Sequence, residues 1–140
     1  MYFEIYYLAL FSNAYMEQIK KILIVDTDAG SGSICAAAFE EHGFSVDRVS
    51  NGLSALGRID SVIYDLVISE LDLYYIRGAD LYIRALKKQP ALENRFLFIG
   101  AVEPEDAREK DTVRGRFFLK PLSTDSLVEH VIELFKQVRP

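Results

Sequence analysis

Lys20–Asp28 reads KKILIVDTD: two lysines, four consecutive apolar residues of which three are β-branched, then two aspartates around a threonine. A continuous apolar run of this kind predicts a strand covered on both faces, because a strand wetted on one face alternates polar and apolar residues.

Working outward, short apolar runs alternate with helical periodicity, the pattern of a parallel α/β sheet. A Gly/Ser turn after Asp28 leads to a helix over Ile34–His42, with Ile34/Ala38 and Cys35/Phe39 paired at i,i+4 and Gly43 ending it. Ser45–Val49 is a second, more polar strand expected at a sheet edge, and Asn51-Gly52 turns the chain into a short helix marked by Leu53, Leu56 and Ile59. Leu66–Ile68 is the third strand. Gly78–Lys88 is a helix with Leu81, Tyr82, Ala85 and Leu86 on one face, stopped by Pro90. Phe96–Ile99 is the fourth strand, Glu103–Thr112 a short, weakly held helix, and Phe117–Leu119 the fifth strand. The last helix has Ser123 or Thr124 as its N-cap, Asp125 near its positive end, and Leu127, Val131, Leu134, Phe135 and Val138 inward. Five β/α units predict a flavodoxin-like, doubly wound, five-stranded parallel sheet of order 2-1-3-4-5 with helices on both faces. Its site is expected outside the carboxyl ends of the strands.

The chain has 140 residues and a net charge of −5, with 16 basic against 21 acidic side chains. That length suits one domain, and that balance argues against a nucleic-acid footprint through it. The single cysteine, Cys35, suits a reducing cytosol and reads as a core residue in an apolar helical stretch. Residues 1–18 form an N-terminal extension and 19–140 the domain. Within the extension the apolar run Ile5–Phe11 is shorter than the roughly 20 residues of a membrane span, so no membrane insertion is expected. Two readings stand for Met1–Tyr15: an upstream extension ahead of a start at Met16, or a helix that docks on a partner or forms a homodimer. The last helix is the other candidate for dimerisation.

Three strand ends converge on one face of such a sheet: Asp26-Thr27-Asp28, Glu70 and Lys120. Five segments in order carry a resemblance to the response-regulator receiver family of two-component signalling. They are KKILIVDTD (Lys20–Asp28), NGLSAL (Asn51–Leu56), DLVISELDL (Asp65–Leu73) with Gly78 eight residues after Glu70, FLFIGA (Phe96–Ala101) and FFLKPL (Phe117–Leu122). The resemblance covers Lys20–Val138 and implies a cytoplasmic module of a phosphorelay, in which an aspartate receives a phosphoryl group from a histidine kinase. By position, Asp26 matches the first of two acids that help hold Mg²⁺ and Thr27 the second. Glu70 matches the phosphoacceptor, Gly100 the hydroxyl residue that binds phosphoryl oxygens, and Lys120 the lysine that pairs with them.

Three of those five positions depart from the family. Glutamate moves its carboxylate by roughly an ångström, a misplacement that can cost on the order of a hundredfold in a transfer reaction. Thr27 removes a carboxylate from an ion that demands near-ideal octahedral oxygen geometry. Gly100 has no hydroxyl. The expectation is a pseudo-receiver: no enzyme, no required cofactor, and action through protein partners independently of phosphorylation. Its contact face, by resemblance, is formed by the helix over 103–112, the strand Phe117–Leu119 and the last helix. Two alternatives stand beside it. In one, Mg²⁺ is held by a site rebuilt around Asp26, Asp28 and Glu70, with Asp26 its only family-type metal ligand. In the other, the loop Gly30-Ser31-Gly32-Ser33 cradles a small anion or nucleotide with backbone N–H groups. Phe117, three residues before Lys120, is expected to sit inward in the space beside Gly100, or else to be a simple core residue. Tyr74 and Tyr75 either cap the old acceptor site or offer a binding surface. His42 and His130 read as surface histidines.

Overall fold

The computed structural model describes residues 19–137. In chain order the elements are β1 (Lys21–Val25), α1 (Ala29–Glu41), β2 (Ser45–Val49), α2 (Gly52–Ser61), β3 (Leu66–Glu70), α3 (Gly78–Lys88), a 3₁₀ turn (Pro90–Asn94), β4 (Phe96–Gly100), α4 (Ala107–Val113), β5 (Phe117–Leu119) and α5 (Thr124–Lys136). The five strands are parallel and ordered β2-β1-β3-β4-β5. Among the described residues no helix is long and apolar enough to cross a membrane.

Period-two alternation along the strands builds two cores. Leu23, Val25, Val67, Phe96 and Phe98 pack under α2, α3 and α4, whereas Ile22, Ile24, Leu66, Ile68 and Leu97 pack under α1 and α5. Both faces of β1 are therefore covered, and its apolar run is unbroken for that reason. β2, at the edge, keeps the polar pattern SVDRV. Phe39, Leu81 and Leu127 are fully buried or nearly so, and each contributes about 1.5–3 kcal/mol through burial.

Several sequence expectations need correction. α1 begins at Ala29, so the Gly/Ser stretch is its first turns and not a loop; Asp28 caps it, accepting from the N–H groups of Gly30 and Ser31. That cap outweighs the poor helix propensity of two glycines and two serines. Ile34 points outward, 66% exposed, because the face that meets the sheet runs through Gly32, Ala36 and Phe39. Leu53 is likewise exposed, with Ala55 and Ile59 taking the buried face of α2. The helix expected over 103–112 is confined to Ala107–Val113, where Asp106 caps it. Val138 and the Met1–Tyr15 segment lie outside the described residues.

Two close approaches fix the loops around the strand ends. A Cβ at Gly78 would stand 2.5 Å from the carbonyl oxygen of Glu70, so only glycine lets the start of α3 lie this near the end of β3. Tyr75 adopts φ +69° in the loop between them, a conformation uncommon for a side chain of this size.

Candidate functional site

Register delivers the strand ends to one place. Val25 pairs with Ser69, Glu70 with Ile99 and Gly100 with Leu119, so Asp26, Glu70 and Lys120 emerge side by side. The backbone N–H of Lys120 donates to the carbonyl of Gly100 (2.8 Å), extending the ladder to the lysine itself.

Glu70 is the hub. Its side chain is 13% exposed, and one oxygen, Oε1, accepts from the backbone N–H of Thr27 (3.1 Å) and from the Thr27 hydroxyl (3.2 Å). Lys120 Nζ lies 3.9 Å from the same oxygen. Thr27 therefore does something its match to an acidic position did not suggest: it closes onto the residue that replaces the phosphoacceptor. Asp26 is held from the other side, Oδ1 accepting from the Asp28 N–H (2.7 Å) and Oδ2 from the Ser31 hydroxyl (2.9 Å).

The two carboxyl groups shift each other's titration in opposite directions. Burial, then the hydrogen bond to Asp26 and its negative charge, push the Glu70 carboxyl up to about 7, against the pull of Lys120 and the Thr27 N–H. Asp26 moves the opposite way. Burial raises it, but the hydrogen bonds from Glu70, the Asp28 N–H and Ser31, with the charge of Lys120, leave it below its ordinary value. Below neutrality Glu70 is thus a neutral carboxyl donating to an ionised Asp26, with Lys120 as the counter-charge.

This donor set does not fit Mg²⁺. The Thr27 hydroxyl, at the position of the second acid, is turned to Glu70. Asp28, offered as a replacement ligand, has one oxygen on the α1 cap (2.9 Å to the Gly30 N–H) and supplies only the other, short of the near-ideal octahedral set that Mg²⁺ demands. Among the described residues no group of three or more His, Cys, Asp or Glu side chains is gathered as a cation site. The anion-cradle reading of Gly30–Ser33 fails for a related reason. Its first N–H groups are already taken by the Asp28 carboxylate, which places negative charge where an anion would sit.

At the end of β4, a Cβ on Gly100 would come within 3.0 Å of Phe117 Cε2 and 3.1 Å of its Cζ. The Phe117 ring, half-buried against the α2–α4 core, thus occupies the space beside Gly100 that a larger residue would need. Tyr74 borders a cavity shared with Thr27, Glu70 and Lys120, and both tyrosines are largely exposed, Tyr74 71% and Tyr75 81%. His42 and His130 are exposed, the latter edge-on to Phe118. Cys35 packs against the α1/α5 core, as its apolar helical setting predicts. It is half-buried in the wall of a cleft, with its thiol pushed up to about 11 by burial and by the charge of Asp26.

Sequence reasoning missed a second ion-pair system. Arg77, at the start of α3, makes a forked contact to Glu109 of α4 (3.1 and 3.2 Å) and a third bond to Asp72 (2.9 Å), tying the loop after Glu70 to α4. No spacing signal joins residues 77 and 109, because only the sheet order makes them neighbours.

Comparison with known proteins agrees with this fold. The family model described as the response regulator receiver domain matches residues 22–132. The transcriptional regulatory protein PcoR of Escherichia coli is 28% identical over 86% of this chain and 54% of its own length. The "Probable transcriptional regulatory protein SilR" of Salmonella typhimurium is 39% identical over 84% of this chain and 51% of its own. The chain therefore spans about half the length of these relatives. Among solved structures, a CheY-like receiver domain protein from Methanospirillum hungatei superposes with a TM-score of 0.76 at 22% identity, covering 86% of this chain and 97% of that one. The response regulator TrrA from Thermotoga maritima, solved in complex with Mg²⁺ and BeF, gives 0.72 at 25% identity, covering 83% and 99%. With a five-stranded sheet of order 2-1-3-4-5 and a family match over most of its length, this chain belongs to the response regulator receiver domain family of two-component signalling.

Proposed function

We propose that this receiver domain is a pseudo-receiver: a non-enzymatic cytoplasmic module that works through protein–protein contacts, independently of aspartyl phosphorylation. The observation that carries this reading is the saturated environment of Glu70. Its carboxyl holds a proton up to about 7, and its Oε1 already serves the Thr27 N–H, the Thr27 hydroxyl and Lys120. A phosphoacceptor has to be an ionised nucleophile with a metal cation beside it; a carboxyl raised to about 7, with Thr27 in place of a second acid, works against both conditions. Glu70 is also an incomplete imitation of a phosphoryl group, which brings nearly two charges and three acceptor oxygens. With Gly100 carrying no hydroxyl and Phe117 resting in the space beside it, the family's relay has no moving part, which supports one fixed conformation. The α4–β5–α5 face is the proposed contact surface. Leu119, 47% exposed on the edge strand, stands at its centre. The net charge of −5 argues against nucleic acid as the partner of this domain.

The test is the melting temperature with and without Mg²⁺ plus beryllium fluoride, the stable mimic of the phosphoryl group, with TrrA as the control. A ligand that binds only the folded form raises the midpoint by mass action. No shift here beside a clear shift in TrrA is the expected result. A clear shift here would overturn the proposal and favour a phosphorylatable receiver using Asp26, Asp28 and Glu70.

A further inference from the structure

α1 and α5 pack on the same face of the sheet, yet they do not close over its carboxyl end. Between them lies a cleft of ≈ 570 Å³, within the ~300–1,000 Å³ of small-molecule sites. Its opening has a plain cause. The α1 residues in its wall are Ser31 and Cys35 and the first α5 residue is Thr124, all too small to fill the gap. The floor is apolar: Ile68, Ile99 and Leu127.

Polar groups gather at one end. Asp26, Asp28 and Glu70 line the cleft together with Lys120, three carboxyl groups against one ammonium. Ser31 and the Asp28 N–H hold the Asp26 carboxylate by one bond on each oxygen, and with the bond from Glu70 one acceptor position is left toward the cleft. Asp28 uses Oδ1 for the helix cap, and among the described residues no bond to its Oδ2 accompanies it. The mouth thus carries net negative charge and spare acceptor capacity above a hydrocarbon floor. An anionic ligand would meet two carboxylates there, and a fully polar one would leave the floor unpaid.

We propose that the α1/α5 cleft binds a small amphipathic amine, its apolar body against Ile68, Ile99 and Leu127 and its ammonium donating to Asp26 and Asp28. This site goes beyond the loss of phosphotransfer. It would give a domain without a phosphorylation switch an input of its own.

The experiment is an amide-resonance titration of the full chain near neutral pH, without Mg²⁺. The probe is 2-phenylethylamine, with 2-phenylethanol and 3-phenylpropionate as neutral and anionic controls of similar body. Saturable shifts centred on Ser31, Cys35, Ala101 and Thr124 are expected, with a Kd for the amine of about 1 mM or tighter. Both controls should bind at least about tenfold more weakly, the value of one charge-assisted contact. Filling the cleft by Cys35→Leu, or separately by Thr124→Leu, should cost the amine at least about tenfold. Asp26→Asn, which leaves the cleft volume unchanged, should abolish the preference for the amine over the alcohol. Shifts that fail to saturate, equal affinity for the three probes, a preference for the acid, or shifts that survive Asp26→Asn unchanged would each overturn the proposal. Because no step uses Mg²⁺ or beryllium fluoride, its failure is distinct from failure of the pseudo-receiver reading.

Discussion

Replacing Glu70 by glutamine turns the proton retained on its raised carboxyl into a measurable stability difference. The sign follows from the direction of the shift. The Glu70 carboxyl is raised in the folded chain to about 7 from an ordinary 4.5, so between those values the folded chain keeps a proton that the unfolded chain has lost. Its stabilising effect is full below about 4.5 and is lost as pH rises through about 7. Asp26, shifted downward, does the reverse: its contribution is present above its ordinary value of 3.8 and disappears only in acid. The window from about pH 5 to 8 therefore belongs to Glu70.

Each pH unit of retained proton is worth about 1.4 kcal/mol, which sets an upper bound near 3 kcal/mol. The two carboxyls titrate together and the site opens to the clefts beside it, so about 1–2 kcal/mol is the expected loss between pH 5 and 8. Glutamine keeps an N–H for Asp26 and an oxygen for Thr27 and Lys120 at every pH. Urea denaturation of both proteins across that range, plotted as a difference, cancels the two histidines and every other shared group. Glu70→Gln should be about 1–2 kcal/mol more stable than the parent at pH 8 and nearly equal to it at pH 5. Parallel curves, or a variant less stable than the parent at pH 8, would refute the raised Glu70 carboxyl.

The remaining predictions concern other parts of the same end of the sheet. Gly100→Ala should destabilise by about 1 kcal/mol in denaturation, with the Phe117 ring resonances moving, because the new Cβ meets the tip of that ring. An unmoved ring would contradict the packing described. Arg77→Ala should cost about 0.5–1.5 kcal/mol, since Arg77 is 47% exposed while its partner Glu109 is 15% exposed. Hydrogen-exchange protection should fall in α4 and stay unchanged in α1, and a uniform loss would count against a local clamp. Cys35, the only cysteine, should react with iodoacetamide about a hundredfold more slowly in the folded chain than in urea near pH 8, given a thiol pushed up to about 11. Equal rates, read by mass, would show that the thiol is not held as described.

How far the sequence reveals this site depends on whether each signal is local. The strands were legible because an apolar run bounded by acids is a local pattern, and β1 is covered on both faces. The start of α1 was not legible in the same way. Two glycines and two serines read as a turn until Asp28 is recognised as a cap that binds two of their N–H groups. Nor could sequence give the α1/α5 cleft, which exists because small residues at 31, 35 and 124 meet across a gap the topology alone creates.

The substitutions carry the same lesson further. Counted by position, Thr27, Glu70 and Gly100 are three independent losses. In the fold they are changes with new partners: Thr27 holds Glu70, Asp26 helps raise the Glu70 carboxyl, and Gly100 makes room for Phe117. Groups coupled in this way do not contribute additively. An aspartate at position 70 alone would leave Thr27 without its acceptor at the same reach, and a hydroxyl residue at position 100 alone would press on the Phe117 ring, which would have to shift. A family-type site requires the changes together, because each present residue is held by another.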